Sequence, residues 1–160
     1  LIAKKAKGNA RFLASMARNA LLRTPPIGFF KDFVLEPDGR HSRAMNLKRR
    51  GTAPLTDLIR VHALAIGSRN RNSFDRLQDI IKANVLPPGR GRDLKDALEF
   101  ISIVRVRNQA NDLVIGQAPD NSIEPEMLSE FERKNLRDAF LILSHAQKYL
   151  KFRYQSGRLN

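Results

Sequence analysis

Between about Asn9 and Leu22, the apolar residues Phe12, Leu13, Met16, Ala17, Ala20 and Leu21 recur at helical spacing. Thr24-Pro25-Pro26 ends that helix, because proline lacks the amide donor and restrains the residue before it. Lys31 to Glu36 reads as extended, Glu36-Pro37-Asp38-Gly39 as a turn, and His41 to Leu47 as the return arm of an irregular hairpin. A second helix is predicted from Pro54, with Thr52 as its cap. It places Leu55, Leu58, Ile59, His62, Ala63 and Ile66 on one face and stops at Gly67. Asn72 or Ser73 caps a third helix carrying Phe74, Leu77, Ile80 and Ile81.

The Leu86-Pro87-Pro88-Gly89-Arg90-Gly91 connector leads into a long fourth helix. It runs from about Asp93 to Ile115, with Leu94, Ala97, Leu98, Ile101, Val104 and Ile115 inward. A polar loop from Gly116 to Pro125 follows. Ser129-Glu130-Phe131-Glu132 matches a capping box, in which serine and glutamate satisfy each other's backbone amides. The fifth helix then extends to about Tyr154, with Leu136, Ala139, Phe140, Leu143, Ala146 and Leu150 on its inner stripe.

Two long helices and no repeated strand alternation predict an all-α fold. The expectation is a single domain over residues 1–160: a bundle of about five helices, the two longest C-terminal, with an irregular loop or hairpin after the first. A length of 160 residues with 42% hydrophobic and 28% charged content suits one globular domain. No apolar run approaches the roughly 18 residues of a spanning helix, and no signal-peptide h-region opens the chain. A cytoplasmic location is expected. The missing initial methionine suggests a piece cut from a larger protein.

Charge changes the picture. Lysine plus arginine minus aspartate plus glutamate is 29 − 16 = +13. Residues 1–50 hold +9 of it, from 12 basic and 3 acidic residues. Such a concentration points to an anionic partner: phosphates, nucleic acid or an acidic neighbouring domain. The absence of cysteine excludes thiolate zinc sites and cysteine nucleophiles, and His41, His62 and His145 lack metal-ligand spacing. No Walker A, G-x-S-x-G or closely paired carboxylate motif is present, so a catalytic centre is hard to assemble. His62, on an apolar helix face, is expected to be a packed histidine.

Two constellations stand out. In Asn46-Leu47-Lys48-Arg49-Arg50-Gly51-Thr52-Ala53-Pro54-Leu55-Thr56-Asp57, three cations and a glycine precede a helix start. That start offers unpaired amides and partial positive charge. The stretch reads either as a seat for phosphate oxygens or as a solvated basic loop. The second is Arg105-Val106-Arg107-Asn108-Gln109, polar residues interrupting the stripe of the fourth helix. They either open toward a cleft or make buried inter-helix hydrogen bonds. Phe29, Phe30 and Phe33 could stack bases, but core packing after the first helix is their expected role.

The segment Asn9 to Phe33, N-x-R-F-L-A-x-x-A-x-N-A-L-x-x-x-P-P-I-G-F-F-x-x-F, resembles the putative nucleotidyltransferase substrate-binding domain family. Asn46-Leu47-Lys48, Gly51, Pro54-Leu55 and Asp57 are similar to its D-L-K-x-x-G-x-x-P-[IL]-x-D pattern, with Asn46 where the family commonly has Asp. The likeness continues through Arg60, Arg76-Leu77, Arg105 to Gln109 and Ala118 to Asn121. The family in turn resembles the helical partner domains of the uridylyl- and adenylyltransferases of nitrogen regulation.

This resemblance implies a bacterial signal-transduction protein whose nucleotidyltransferase domain lies upstream, often with CBS and cyclic-nucleotide-binding domains. It implies that Lys48, Gly51 and Asp57 line the substrate side, and that Arg105, Arg107 and Gln109 face the same cleft. The G-S-x-x-R…D-x-D motif of the catalytic domain is absent from this chain. The chain is therefore expected to be an accessory substrate-binding domain and not an enzyme alone. Lys48 and Arg50 are the expected phosphate contacts, and Arg105 and Arg107 those for triphosphate or acceptor. Mg2+ and a nucleoside triphosphate belong to the intact protein, with a protein acceptor as a further candidate partner. Two alternatives stay open: a stand-alone basic module binding nucleic acid, and a structural domain that forms homodimers.

Overall fold

The computed structural model describes residues 2–155. Two helices, α1 (Ile2–Ala6) and α2 (Ala10–Ala20), precede a hairpin of β1 (Glu36–Asp38) and β2 (His41–Asn46). A π-helical turn, Lys48–Thr52, feeds α3 (Ala53–Ala65), and α4 (Ser73–Lys82) and α5 (Arg90–Val114) follow. The segment between α5 and α6 (Glu130–Leu150) contains β3 (Ser122–Ile123) and a 3₁₀ turn at Pro125–Met127. A second π-helical turn, Lys151–Gln155, extends α6.

The helix ends follow local chemistry. The Asn9 side chain accepts from the Phe12 amide at 3.0 Å, and Asn72 accepts from the Phe74 amide at 2.8 Å. Ser129 and Glu132 form the reciprocal capping box. Gly67, at φ +75°, takes the left-handed conformation that closes α3. Leu94, Ile101 and Val104 of α5 join Leu136, Phe140 and Leu143 of α6, and Leu55, Leu58 and Ile59 of α3, in one continuous core. Each such fully buried side chain contributes roughly 1.5–3 kcal/mol before chain entropy is counted.

Several expectations need correction. The fold is mainly helical but not all-α, because β1, β2 and β3 form an antiparallel sheet in that order. Met45 pairs with Ile123 and Asn46 with Ser122, which ties the hairpin to the α5–α6 segment. The hairpin turn falls at Gly39-Arg40, so Glu36 to Asp38 are strand. The described residues hold six α-helices, one more than expected, and α5 begins earlier, at Arg90. Ile115 is not inward; it is 67% exposed just past the end of α5.

Thr52 does not cap α3 with its side chain. Its amide instead bonds the Leu47 carbonyl, five residues back, at 2.9 Å, so the chain enters α3 already coiled. Gly51 makes this possible. A Cβ at Gly51 would lie 3.0 Å from Ile101 Cγ2 and 3.7 Å from Phe140 Cε1, so the turn rests directly on α5 and α6.

His62 is packed, as its position suggested. Its Nδ1 lies 2.9 Å from the Tyr154 hydroxyl, and its ring stacks on Tyr149 with centroids 5.9 Å apart. Nε2 has no hydrogen-bond partner among the described residues. Burial, reinforced by Arg153, pushes the imidazole pKa down from its ordinary 6.5 to about 3.

Two outcomes follow from this packing. Because the added Cβ would sit 3.0 Å from the fully buried Ile101, Gly51→Ala is expected to lower the urea-unfolding free energy by about 1–3 kcal/mol. An unchanged midpoint would show that the turn tolerates a methyl group. The second concerns pH. The unfolded chain protonates His62 more readily than the folded one, so stability is full above pH ~6.5 and falls as pH drops toward ~3, by up to about 1.4 kcal/mol per pH unit. Unfolding followed between about pH 6 and 4 should show a steeper slope for the wild type than for His62→Gln. Equal slopes would mean that the imidazole gains no proton on unfolding.

Candidate functional site

The Lys48–Thr52 turn, the start of α3, the start of α4 and the middle of α5 enclose a groove of about 400 Å3. That volume lies within the roughly 300–1,000 Å3 of small-molecule sites. Lys48 and Arg105 supply two cations; Thr52, Thr56, Ser73 and Ser102 supply hydroxyls; Phe74, Leu98 and Ala53 form apolar wall. No carboxylate lines it. Lys48 is exposed and makes no ion pair among the described residues. The groove is therefore an electropositive cleft with hydroxyl donors and one aromatic face.

Arg105 is held in place. Its Nε donates to Asn121 Oδ1 at 2.7 Å, and its Nη1 lies 3.4 Å from the Thr52 hydroxyl. Asn121 also accepts from Gln109 Nε2 at 3.2 Å, and the Leu47 amide donates to the Asn121 carbonyl at 2.8 Å. The loop carrying Asn121 is stapled to the β1–β2 turn. Arg40 bridges Asp112 at 2.9 Å and Asp120 at 3.5 Å, and donates to the Ala118 carbonyl at 2.7 Å. The His41 ring lies 2.9 Å from Asp120 and 3.1 Å from Glu124. Asp38 accepts from the Ser122 hydroxyl and from Asn46 Nδ2, and these bonds, with Arg49 nearby, hold its carboxyl below the usual carboxylate range.

A cation-lined groove beside a helix start suits an anionic ligand. Residues 10–154 match the model of the family described as "Putative nucleotidyltransferase substrate binding domain". The chain belongs to that family. No curated protein and no solved structure matches it.

The structure separates the residues that the sequence grouped. Of the expected set in this substrate-binding domain, Lys48 and Arg105 line the groove. Gly51 supports it from beneath through the Ile101 contact. Gln109 braces Asn121 behind Arg105, and Asn108 donates to the Ser122 carbonyl at 3.0 Å. Arg50 points elsewhere: Nε donates to the Thr24 carbonyl at 3.0 Å and Nη1 to Glu36 at 2.9 Å. Arg107 pairs with Glu132 at the start of α6, which keeps that carboxyl below its usual range. Asp57 lies 3.4 Å from Arg60 on the outside of α3 and does not line the groove. Asn46, where the family commonly has Asp, caps the turn by accepting from the Arg49 amide at 2.8 Å while donating to Asp38.

Sequence reasoning missed Thr52, Thr56, Ser73, Phe74 and Ser102 as groove walls and Asn121 as the clamp on Arg105. Only tertiary packing brings these together, and no local pattern marks them. Among the described residues no cluster of three His, Asp or Glu could hold a metal, and no helix is long and apolar enough to cross a membrane.

The partition yields a mutational contrast. Arg50→Ala removes two bonds that anchor the Lys48–Thr52 turn to Thr24 and to Glu36 of β1, and is expected to lower the unfolding free energy by about 1–2 kcal/mol. It should leave anion binding at Lys48 and Arg105 unchanged in a titration. An anion affinity that collapses with no loss of stability would move Arg50 into the groove.

Proposed function

We propose that the Lys48–Arg105 groove holds the phosphate-bearing substrate of a nucleotidyltransferase, presenting it to a catalytic domain that packs over the groove. The observation that carries this reading is two cations, one braced by Asn121 and Thr52, in a cleft lined by hydroxyls and free of carboxylates. Lys48 and Arg105 attract the phosphates, the hydroxyls of Thr52, Ser73 and Ser102 donate to them, and Phe74 offers a face for a base. Fixed positive charge near the transferring phosphoryl group opposes the negative charge that develops there. Mg2+ and the carboxylates that bind it are assigned to the nucleotidyltransferase domain, which performs the chemistry. A role in bacterial signal transduction, with regulatory domains alongside, belongs to this same reading.

The test is calorimetric titration of ATP, CTP, GTP and UTP with magnesium into wild type, Lys48→Ala, Arg105→Ala and Arg107→Ala. Lys48→Ala and Arg105→Ala should each weaken binding about tenfold or more, a loss of roughly 1.4 kcal/mol, with unchanged circular dichroism. Arg107→Ala, whose guanidinium is already taken by Glu132, should bind like wild type. Equal losses in all three variants, with affinity falling steeply in salt and no preference for nucleotide over oligonucleotide, would replace this reading by diffuse nucleic-acid binding.

A further inference from the structure

The seam between α3 and α4 continues past the groove. Thr56 of α3 and Ser73 of α4 are groove walls. Residues three or four apart share a helix face, so Arg60 and Arg76 stand one turn further along the same two faces, about 4.5–6 Å on along each axis. The two guanidinium groups are close enough to act on each other. Burial, and after it the Arg60 charge, push the Arg76 pKa below its ordinary value.

Arg76 is braced as Arg105 is, through Nε and an asparagine. Its Nε donates to the Asn70 carbonyl at 2.7 Å, and Asn70 is itself fixed, with Nδ2 donating to Asp79 at 2.7 Å. Nη1 and Nη2 of Arg76 have no partner among the described residues. Arg60 pairs with Asp57 at 3.4 Å, but both side chains stay well exposed, and such a pair contributes little. Asp79 is occupied by the Ser68 hydroxyl and Asn70, which hold its carboxyl below the usual carboxylate range. Asp75, exposed in the first turn of α4, forms no ion pair among the described residues, and neither do the exposed Arg69 and Arg71. Between residues 57 and 79, four arginines therefore outnumber three carboxylates, and no carboxylate pairs with Arg76.

Two like charges held together repel, and a multiply charged anion between them turns that repulsion into attraction. Guanidinium forks match phosphate oxygens in geometry, and the open Nη1 and Nη2 of Arg76 are such a fork. We infer that Arg60 and Arg76 form a subsite for the pyrophosphate end of a nucleoside triphosphate whose α-phosphate lies beside Lys48 and Arg105. This subsite depends on the nucleotidyltransferase reading of the groove and adds to it the direction in which the triphosphate runs. In the transfer, an acceptor oxygen bonds the α-phosphorus and its proton passes to water. The bond from the α-phosphorus to the bridging oxygen breaks, and pyrophosphate leaves with that electron pair. Paired guanidinium groups at the leaving end meet the charge as it develops.

Calorimetric titrations of ATP, AMP and inorganic pyrophosphate, each with magnesium, test the subsite. The wild-type chain should bind pyrophosphate, and should bind ATP more tightly than AMP. Arg60→Ala and Arg76→Ala should each weaken ATP and pyrophosphate about tenfold and leave AMP affinity unchanged. Arg60→Ala, which removes only an exposed ion pair, gives the decisive comparison if Arg76→Ala loosens the Asn70 loop. No pyrophosphate binding by the wild type, or equal losses for AMP and ATP, overturns the subsite. So does the same loss in Lys134→Ala, which removes an exposed cation from α6. Lys48→Ala reports on the groove separately. Unchanged AMP binding in that variant rejects the groove reading, whereas pyrophosphate binding lost in Arg60→Ala still supports the subsite.

Discussion

The geometry of the molecule depends on the contact between Gly51 and the α5–α6 pair. Ile101 and Phe140 are fully buried, and the Lys48–Thr52 turn lies on them so closely that a Cβ at Gly51 would sit 3.0 Å from Ile101. The turn is wound to an i→i+5 bond, Thr52 to Leu47, instead of breaking before α3. Its residues therefore fan around a helical axis. Lys48 and Thr52 fall toward α4 and the middle of α5, and Arg50 falls toward Thr24 and Glu36. Moving the turn outward by an ångström would separate Thr52 from Arg105 and open the groove at its floor.

A second layer of order comes from how a chain of net charge +13 places its few acids. Asp38, Asp112, Asp120 and Glu124 gather where the hairpin meets the α5–α6 loop, where Arg40 and Arg49 pair with Asp112, Asp120 and Asp38 and the His41 ring bonds Asp120 and Glu124. Asp112 is buried and tolerable there because Arg40 and the Asp120 amide both bond it. This staple sets the loop, the loop sets Asn121, and Asn121 sets Arg105. Acids consumed in the staple do not face the groove, so the cations of the groove are not cancelled by neighbours of their own chain.

Much of this architecture is legible in the sequence because its signals are local. The capping box at Ser129, the asparagine caps and the stop at Gly67 are each decided within one turn of chain. What is not legible depends on distant partners. Ile115 reads as inward because α5 is apolar on more than one side, with Ile103, Val106 and Leu113 all exposed. The third strand has only two residues, too short to show alternation, and exists because Met45 and Asn46 meet it across the fold. Phe29 and Phe30 read as core for a similar reason, yet they are 94% and 83% exposed: three phenylalanines in five residues look alike until the loop at Lys31 turns two of them outward and leaves Phe33 against the core.

The candidate site shows where stricter use of helical geometry sharpens a sequence reading. Successive residues of an α-helix are about 100° apart, so Arg105 and Arg107 are separated by about 200° and cannot share a cleft on a straight helix. Arg105 and Gln109, four apart, can, and both bond Asn121. The same argument divides Lys48 from Arg50 once the turn is recognised as helical, though the π-winding that makes it so has no sequence signature beyond a glycine. A run of three cations thus contributes one side chain to the groove and spends another on holding the hairpin. The basic character that first suggests an anionic partner is mostly surface, and the part of it that lines the groove is Lys48 and the braced Arg105, with Thr52 in the same wall.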